Sequence, residues 1–259
     1  LRRDRIAGLT YTYRKSFYKT HTVKIEYRNA FVEDTVKFLN PNYFLGEGVQ
    51  RQEFTWLTYQ FNADHRDLFA YPLKGFQFTI GATKYGLFTR DDVNKFDVNV
   101  SYSKYFDVGR NFYLSNNMNA YWSTPNDVAY TNFGVLGLRR QFVRGYEIYV
   151  LEGPYYVMNK TTLKKRIFAR DYRWEDMPLD QFRHIPVSIY FKTYADFGYV
   201  ENYPYYDKLD INTRLSNKLL AGMGFGFDVV GSYDIVLRFE YSFNAHGENG
   251  FFFHVKKEF

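Results

Sequence analysis

Apolar and polar residues alternate with a period of two along most of the chain, and helical periodicity is almost absent. In His21–Phe31, Val23, Ile25, Tyr27 and Phe31 share one face, opposite Thr22, Lys24, Glu26 and Arg28. In Phe96–Phe106, Phe96, Val98, Val100, Tyr102 and Phe106 oppose Asp97, Asn99, Ser101 and Ser103. In Val187–Tyr199, Val187, Ile189, Phe191, Ala195, Phe197 and Tyr199 oppose Ser188, Tyr190, Lys192, Tyr194, Asp196 and Gly198. In Ile235–Phe243, Ile235, Leu237, Phe239, Tyr241 and Phe243 oppose Arg238, Glu240 and Ser242. Such alternation marks strands whose two faces meet different surroundings. Noisier segments of the same kind lie near 6–17, 54–62, 75–87, 111–122, 155–168 and 217–229, and a last one spans Phe251–Phe259.

The pattern predicts eleven strands, several of them 10–13 residues long. Globular strands run about five or six residues, whereas a tilted strand crossing a bilayer needs about 9–11. Length therefore favours a membrane barrel over a soluble sandwich. The expected fold class is all-β, a transmembrane antiparallel β-barrel with a polar lumen, since only a closed barrel satisfies every backbone group of a sheet in lipid. Aromatics near segment ends (Tyr11, Tyr13, Phe17, Tyr18, Tyr102, Tyr105, Phe106, Tyr199) suit an interfacial girdle. Connections alternate in length. Short ones are expected near 18–20, 107–110 and 230–233, and longer ones near 32–53, 88–94, 123–154, 200–216 and 244–250. On the short side, 63–74 and 169–186 (with Arg173-Trp174-Glu175-Asp176) stand out as exceptions.

Composition sharpens this picture. Of 259 residues, 26 are Tyr, 27 Phe and 3 Trp, yet the mean hydropathy is below zero. No stretch reaches the roughly 18 apolar residues of a membrane helix, and the 46% hydrophobic content excludes disorder. The absence of Cys removes disulfides, thiol nucleophiles and thiolate metal sites. The five His show no ligand spacing, and no Ser/His/Asp arrangement or elbow motif is readable, so neither a metal nor an enzyme is expected. The net charge of +6 is spread along the chain, and no nucleic-acid partner is expected. Leu1-Arg2-Arg3-Asp4-Arg5 has no initiator Met and no following signal-peptide core, which points to a mature or truncated chain.

Phe142-Val143-Arg144-Gly145-Tyr146-Glu147 lies inside the long loop 123–154. It resembles the Val-Arg-Gly-Phe/Tyr signature of the BamA/TamA outer-membrane assembly superfamily, which also holds the two-partner-secretion transporters and the bacterial surface antigen barrels. Counting back from Phe259 as the end of strand sixteen makes 123–154 the sixth outer loop, where that superfamily carries the signature. Asp64-His65-Arg66-Asp67 with Tyr71-Pro72-Leu73-Lys74-Gly75 resembles its Asp-x-Arg-Asp … Pro-x-x-Gly turn, and Tyr194-Ala195-Asp196-Phe197-Gly198 its Phe-x-Asp-x-Gly strand. Phe251, Phe253, Val255 and Phe259 share one face, like the terminal insertion signal of outer-membrane barrels.

The resemblance implies a 16-stranded family of which about 11 C-terminal strands are present. Residues 1–259 would be the C-terminal part of one barrel domain, with the N-terminal strands and periplasmic domains outside this sequence. It implies that the sixth loop folds inward and that Arg144 reaches Asp196, an acid that alternation places on the lumen face. Gly145 would turn tightly or approach the wall, and Tyr146 would pack on lumen aromatics. Relatives often carry a Glu on strand twelve, but here Leu163-Lys164-Lys165-Arg166 supplies only cations, so Glu147 or Glu240 would complete the network. Arg66 and Asp67 read as turn-forming, and Gly222, Gly224 and Gly226 as small residues in a crowded lumen.

The implied task is insertion of barrel proteins or export of polypeptide in the bacterial outer membrane, by templating a client's terminal strand at a weak seam. No cofactor and no covalent reaction are implied. The partners would be outer-membrane lipid and lipopolysaccharide, a client β-barrel or secreted polypeptide, and accessory lipoproteins or partner membrane proteins. Competing expectations are a barrel anchoring or translocating an N-terminal enzyme or surface passenger, and a passive porin. A soluble lectin-like sandwich fits poorly with the long strands.

Overall fold

The computed structural model describes residues 2–39, 43–44, 49–126, 128–132, 134–136, 141–173, 175, 183–208, 210, 212–232 and 234–256. The strands are β1 (Arg2–Ser16), β2 (Lys19–Val32), β3 (Arg51–Asp64), β4 (Gly75–Tyr85), β5 (Lys95–Gly109), β6 (Phe112–Thr124), β7 (Gly134–Leu136), β8 (Leu151–Gly153), β9 (Tyr155–Arg173), β10 (His184–Val200), β11 (Leu219–Val230), β12 (Val236–Asn244) and β13 (Asn249–Lys256). Two short helices, α1 (Asp34–Leu39) and α2 (Pro204–Lys208), lie in the connections β2–β3 and β10–β11.

Eleven strands form one sheet in the order β1-β2-β3-β4-β5-β6-β9-β10-β11-β12-β13, and each neighbouring pair is antiparallel. Sequence neighbours are thus spatial neighbours, except that β9 docks on β6 across the small β7–β8 ribbon. Among the described residues the sheet is not closed: β1 and β13 are its edges, so it is a partial barrel. Among the described residues no helix is long and apolar enough to cross a membrane, which says nothing against crossing by strands.

The period-two pattern explains which way the sheet curves. On β10, Tyr190, Lys192, Tyr194 and Asp196 are buried, whereas Phe197 on the alternate face is half exposed. Phe225, Phe227, Phe243, Phe251 and Phe253 share that outer face and remain exposed. Cross-strand aromatic contacts run along it, with ring centroids 5.3 Å apart for Phe191–Phe227 and 5.0 Å for Phe239–Phe253. The concave side therefore holds charge and tyrosine, and the convex side holds phenylalanine.

The inside is filled from both ends. Tyr121, Val143, Tyr146, Leu151, Tyr156, Met158, Val200, Leu215 and Leu220 form one buried cluster, to which the β6–β9 connection contributes Val143, Tyr146 and Leu151. A second, near the opposite end, joins Tyr71 of the β3–β4 turn to Tyr113, Tyr190 and Val236.

Several boundaries differ from those the pattern implies. The connection 244–250 is a tight turn, because pairing continues to Phe243↔Asn249 and Asn244 caps the bend by accepting from the N–H groups of His246 and Glu248. The exception at 169–186 shrinks, because β9 and β10 pair out to Arg173↔His184. Trp174, Asp176 and Phe259 lie outside the described residues. Between β5 and β6, Arg110 and Asn111 both have positive φ (53° and 63°), the two-residue reversal whose twist matches a hairpin.

Candidate functional site

The site begins with a kink in the inserted loop. Tyr146 N–H donates to the Val143 carbonyl at 3.0 Å, and Tyr149 N–H to the Tyr146 carbonyl at 3.1 Å. Between them Gly145 has φ +92°, a region side chains rarely adopt, and a methyl there would sit 3.0 Å from the Phe243 carbonyl oxygen. Gly145 thus both turns the chain and lies against the wall, where its carbonyl accepts from Asn244 Nδ2 at 2.8 Å.

This kink presents Arg144 to β10. Its Nε and Nη2 donate to the two carboxylate oxygens of Asp196 at 2.8 and 2.6 Å, and its backbone N–H adds a third contact at 3.2 Å. Nη2 also reaches Thr162 Oγ1 at 2.9 Å, and Nη1 lies 3.4 Å from Glu240 Oε1. The guanidinium stacks 3.8 Å from the centre of the Tyr194 ring. Asp196 has no solvent exposure and Arg144 only 6%. A planar, two-pronged cation is suited to a planar acid in such a place, and removing either partner of a buried pair costs about 3–5 kcal/mol.

Glycine makes the room. A methyl on Gly222, which pairs with Asp196, would lie 1.8 Å from the Arg144 carbonyl oxygen, and one on Gly198 would lie 2.5 Å from Val143 Cγ2. Gly224 likewise clears the Tyr194 hydroxyl, which bonds Ser242 Oγ at 2.7 Å.

The rest of the loop is tied to the last hairpin. Tyr146 OH lies 2.9 Å from His246 Nδ1, with the rings edge to face. Tyr149 OH donates to Glu248 at 2.8 Å, and Arg214 pairs with the same carboxylate at 2.7 Å. Hydrogen bonds from Asn244, Tyr149 and Arg214 hold the Glu248 carboxyl below the usual carboxylate range. Glu147 turns back to accept from Gly145 N–H at 2.7 Å, and burial pushes its carboxyl up. Glu240, rather than Glu147, meets Arg144.

Below this lock lies a second ionic group. Lys192 Nζ bridges Glu240 at 2.8 Å and Asp228 at 2.5 Å, and Arg238 Nε pairs with Asp228 at 3.1 Å. These residues line a cavity of about 570 Å³ together with Arg66, Phe142, Arg144, Thr162 and Lys164. Asp228 also accepts from Tyr71 OH at 2.9 Å.

Of the residues singled out from sequence, Val143, Arg144, Gly145, Tyr146 and Asp196 thus converge at one place. Phe251, Phe253 and Val255 lie together on the exposed outer face of β13, and Phe259 falls outside the described residues. Arg66 pairs with Asp64 at 2.6 Å, and Asp67 Oδ1 accepts the N–H groups of Leu68 and Leu73, so both shape the turn. The sequence reading passed over Thr162, Tyr194 as a stacking partner, and the Lys192–Asp228–Arg238 group. Only their position on the inward face of alternating strands could have marked them.

No protein-family model and no curated protein matches this chain. Among solved structures, it is similar to the crystal structure of BamA from Haemophilus ducreyi lacking POTRA domains 1–3, with a TM-score of 0.63 over 97% of this chain. The fold is that of a BamA-type barrel. Sequence identity with that BamA is 13%, and this chain spans about half of its length, 53% of the chain compared.

Proposed function

We propose that this chain is the plugged pore-forming part of an outer-membrane factor that inserts barrel proteins or exports polypeptide. The carrying observation is the buried Arg144–Asp196 pair, which holds the β6–β9 loop inside a sheet whose outer face is aromatic. An occupied interior speaks against a passive porin, which needs an open water path. The reaction would be physical and not covalent: a client strand would add to the backbone of β13, the edge of the described sheet. The lock keeps the interior closed while the edge works. Its environment would be outer-membrane lipid and lipopolysaccharide, and its partners a client barrel or polypeptide with accessory proteins.

The test is reconstitution of the full-length protein in liposomes with a urea-unfolded outer-membrane barrel as client. Folding of the client severalfold faster than in empty liposomes is expected. Client folding no faster than in empty liposomes, combined with large steady conductance that Arg144→Ala leaves unaltered, would replace the proposal with a porin.

A further inference from the structure

Two segments enter the concave side of the sheet from opposite ends. Loop residues 141–153 come from the end where the long connections lie, and turn 65–74, between β3 and β4, comes from the other. The turn is built to point inward. Asp67 gathers two N–H groups, His65 N–H donates to the Phe76 carbonyl at 2.8 Å, and Gly75 has φ +98° where a methyl would strike the His65 carbonyl. Its tip carries Tyr71, 3% exposed, whose ring lies 4.9 Å from that of Tyr190 and 4.0 Å from Lys164 Nζ.

The hydroxyl of Tyr71 ends on Asp228, a partner 157 residues away. From there the polar contacts are continuous to the loop: Asp228 to Lys192, Lys192 to Glu240, Glu240 to Arg144, Arg144 to Asp196. Along β10 this ladder spans from Tyr190, opposite Asp228, to Asp196, six residues or about 20 Å. Both plugs therefore rest on one buried ionic group. Lys192, Asp228 and Glu240 are at most 1% exposed although they line the cavity, and a weakly solvated ionic network is stronger than a solvated one.

We propose that turn 65–74 is a second inward plug, with Tyr71 as its positioning residue, and that its docking and the docking of loop 141–153 reinforce each other through the Lys192-centred network. This rests on the lock reading for loop 141–153 and requires no assembly activity. When the turn withdraws, water reaches Lys192 and Asp228, and the screening extends to Glu240 and Arg144. Because coupling is reciprocal in free energy, undocking the turn weakens loop docking by the same factor as undocking the loop weakens turn docking.

The experiment uses the full-length detergent-solubilised protein, with gel migration before and after heating as the check on barrel assembly. Loop opening is read as the cleavage rate within 123–154. Turn opening is read as the maleimide labelling rate of Ala70→Cys, a position that the docked turn buries in a chain without cysteine. Tyr71→Phe keeps the ring and removes only the hydroxyl. It is expected to raise loop cleavage about fivefold or more. Arg144→Lys is expected to raise labelling at position 70 by the same order. If Tyr71→Phe quickens labelling of the turn alone and Arg144→Lys quickens cleavage of the loop alone, the coupling is overturned and the lock stands. If Arg144→Lys changes neither rate, the lock reading falls as well. Should Tyr71→Phe fail to assemble, the Arg144→Lys arm decides by itself, since it leaves the turn's own sequence intact.

Discussion

At the scale of single residues, Arg144 and Asp196 carry the argument, because each is buried and each is the other's main partner. Arg144→Ala strands the Asp196 carboxylate, and a penalty of about 3–5 kcal/mol is expected for the docked loop. Limited proteolysis should then cut within 123–154 at least a hundredfold faster, with the sheet still assembled. Glu147 gives a pH signature. Burial raises its carboxyl pKa in the docked loop, so docking is favoured at low pH and weakens as pH rises from the ordinary Glu value through the raised one. Loop cleavage should therefore slow as pH falls toward the ordinary Glu value. In Glu147→Gln that slowing should shrink. Arg144 was legible in sequence because a short motif surrounds it, and Asp196 because its strand repeats a second one. Asp228 and Lys192 look like any other charge on an alternating strand. Their meaning comes from partners 10 to 157 residues away, which no local pattern encodes.

At the scale of elements, alternation located all eleven strands of the sheet, because a strand with phenylalanine on one face and charge on the other has an unmistakable period. It missed the three-residue strands β7 and β8, which are too short to show any period, and the helices α1 and α2, each about one to two turns long. It also read 244–250 as a long loop, since the capping by Asn244 that shortens it is written in one side chain. The alternating glycines of β11 were legible as small residues, but not what they make room for. Gly222→Ala tests this at the level of the strand. Its methyl would meet the Arg144 carbonyl, not a flexible side-chain tip, so β11 should still pair with β10 while the loop is displaced. Expected is a cleavage rate approaching that of Arg144→Ala, with unchanged heat-dependent gel migration.

At the scale of the whole molecule, the outer face decides where the protein can reside. Phe225 lies near the middle of β11, on the exposed aromatic side. If that side meets lipid, Phe225→Lys should cost about 2–4 kcal/mol. The fraction of assembled protein in vesicles, followed by urea titration, should fall accordingly. An unchanged titration would place that face in water. The curvature was legible in outline, since one face is aromatic and the other polar. The inward loop was legible through its motif, but the turn that meets it from the other end was not, because it depends on where the two segments come together in space. The ladders within the sheet are also unequal. β9 and β10 pair at seventeen positions, β11 and β12 at nine. Pulled sideways, the wall would tear along the shorter ladder well before the longer one, so the place where it yields is set by strand length before any side chain is considered.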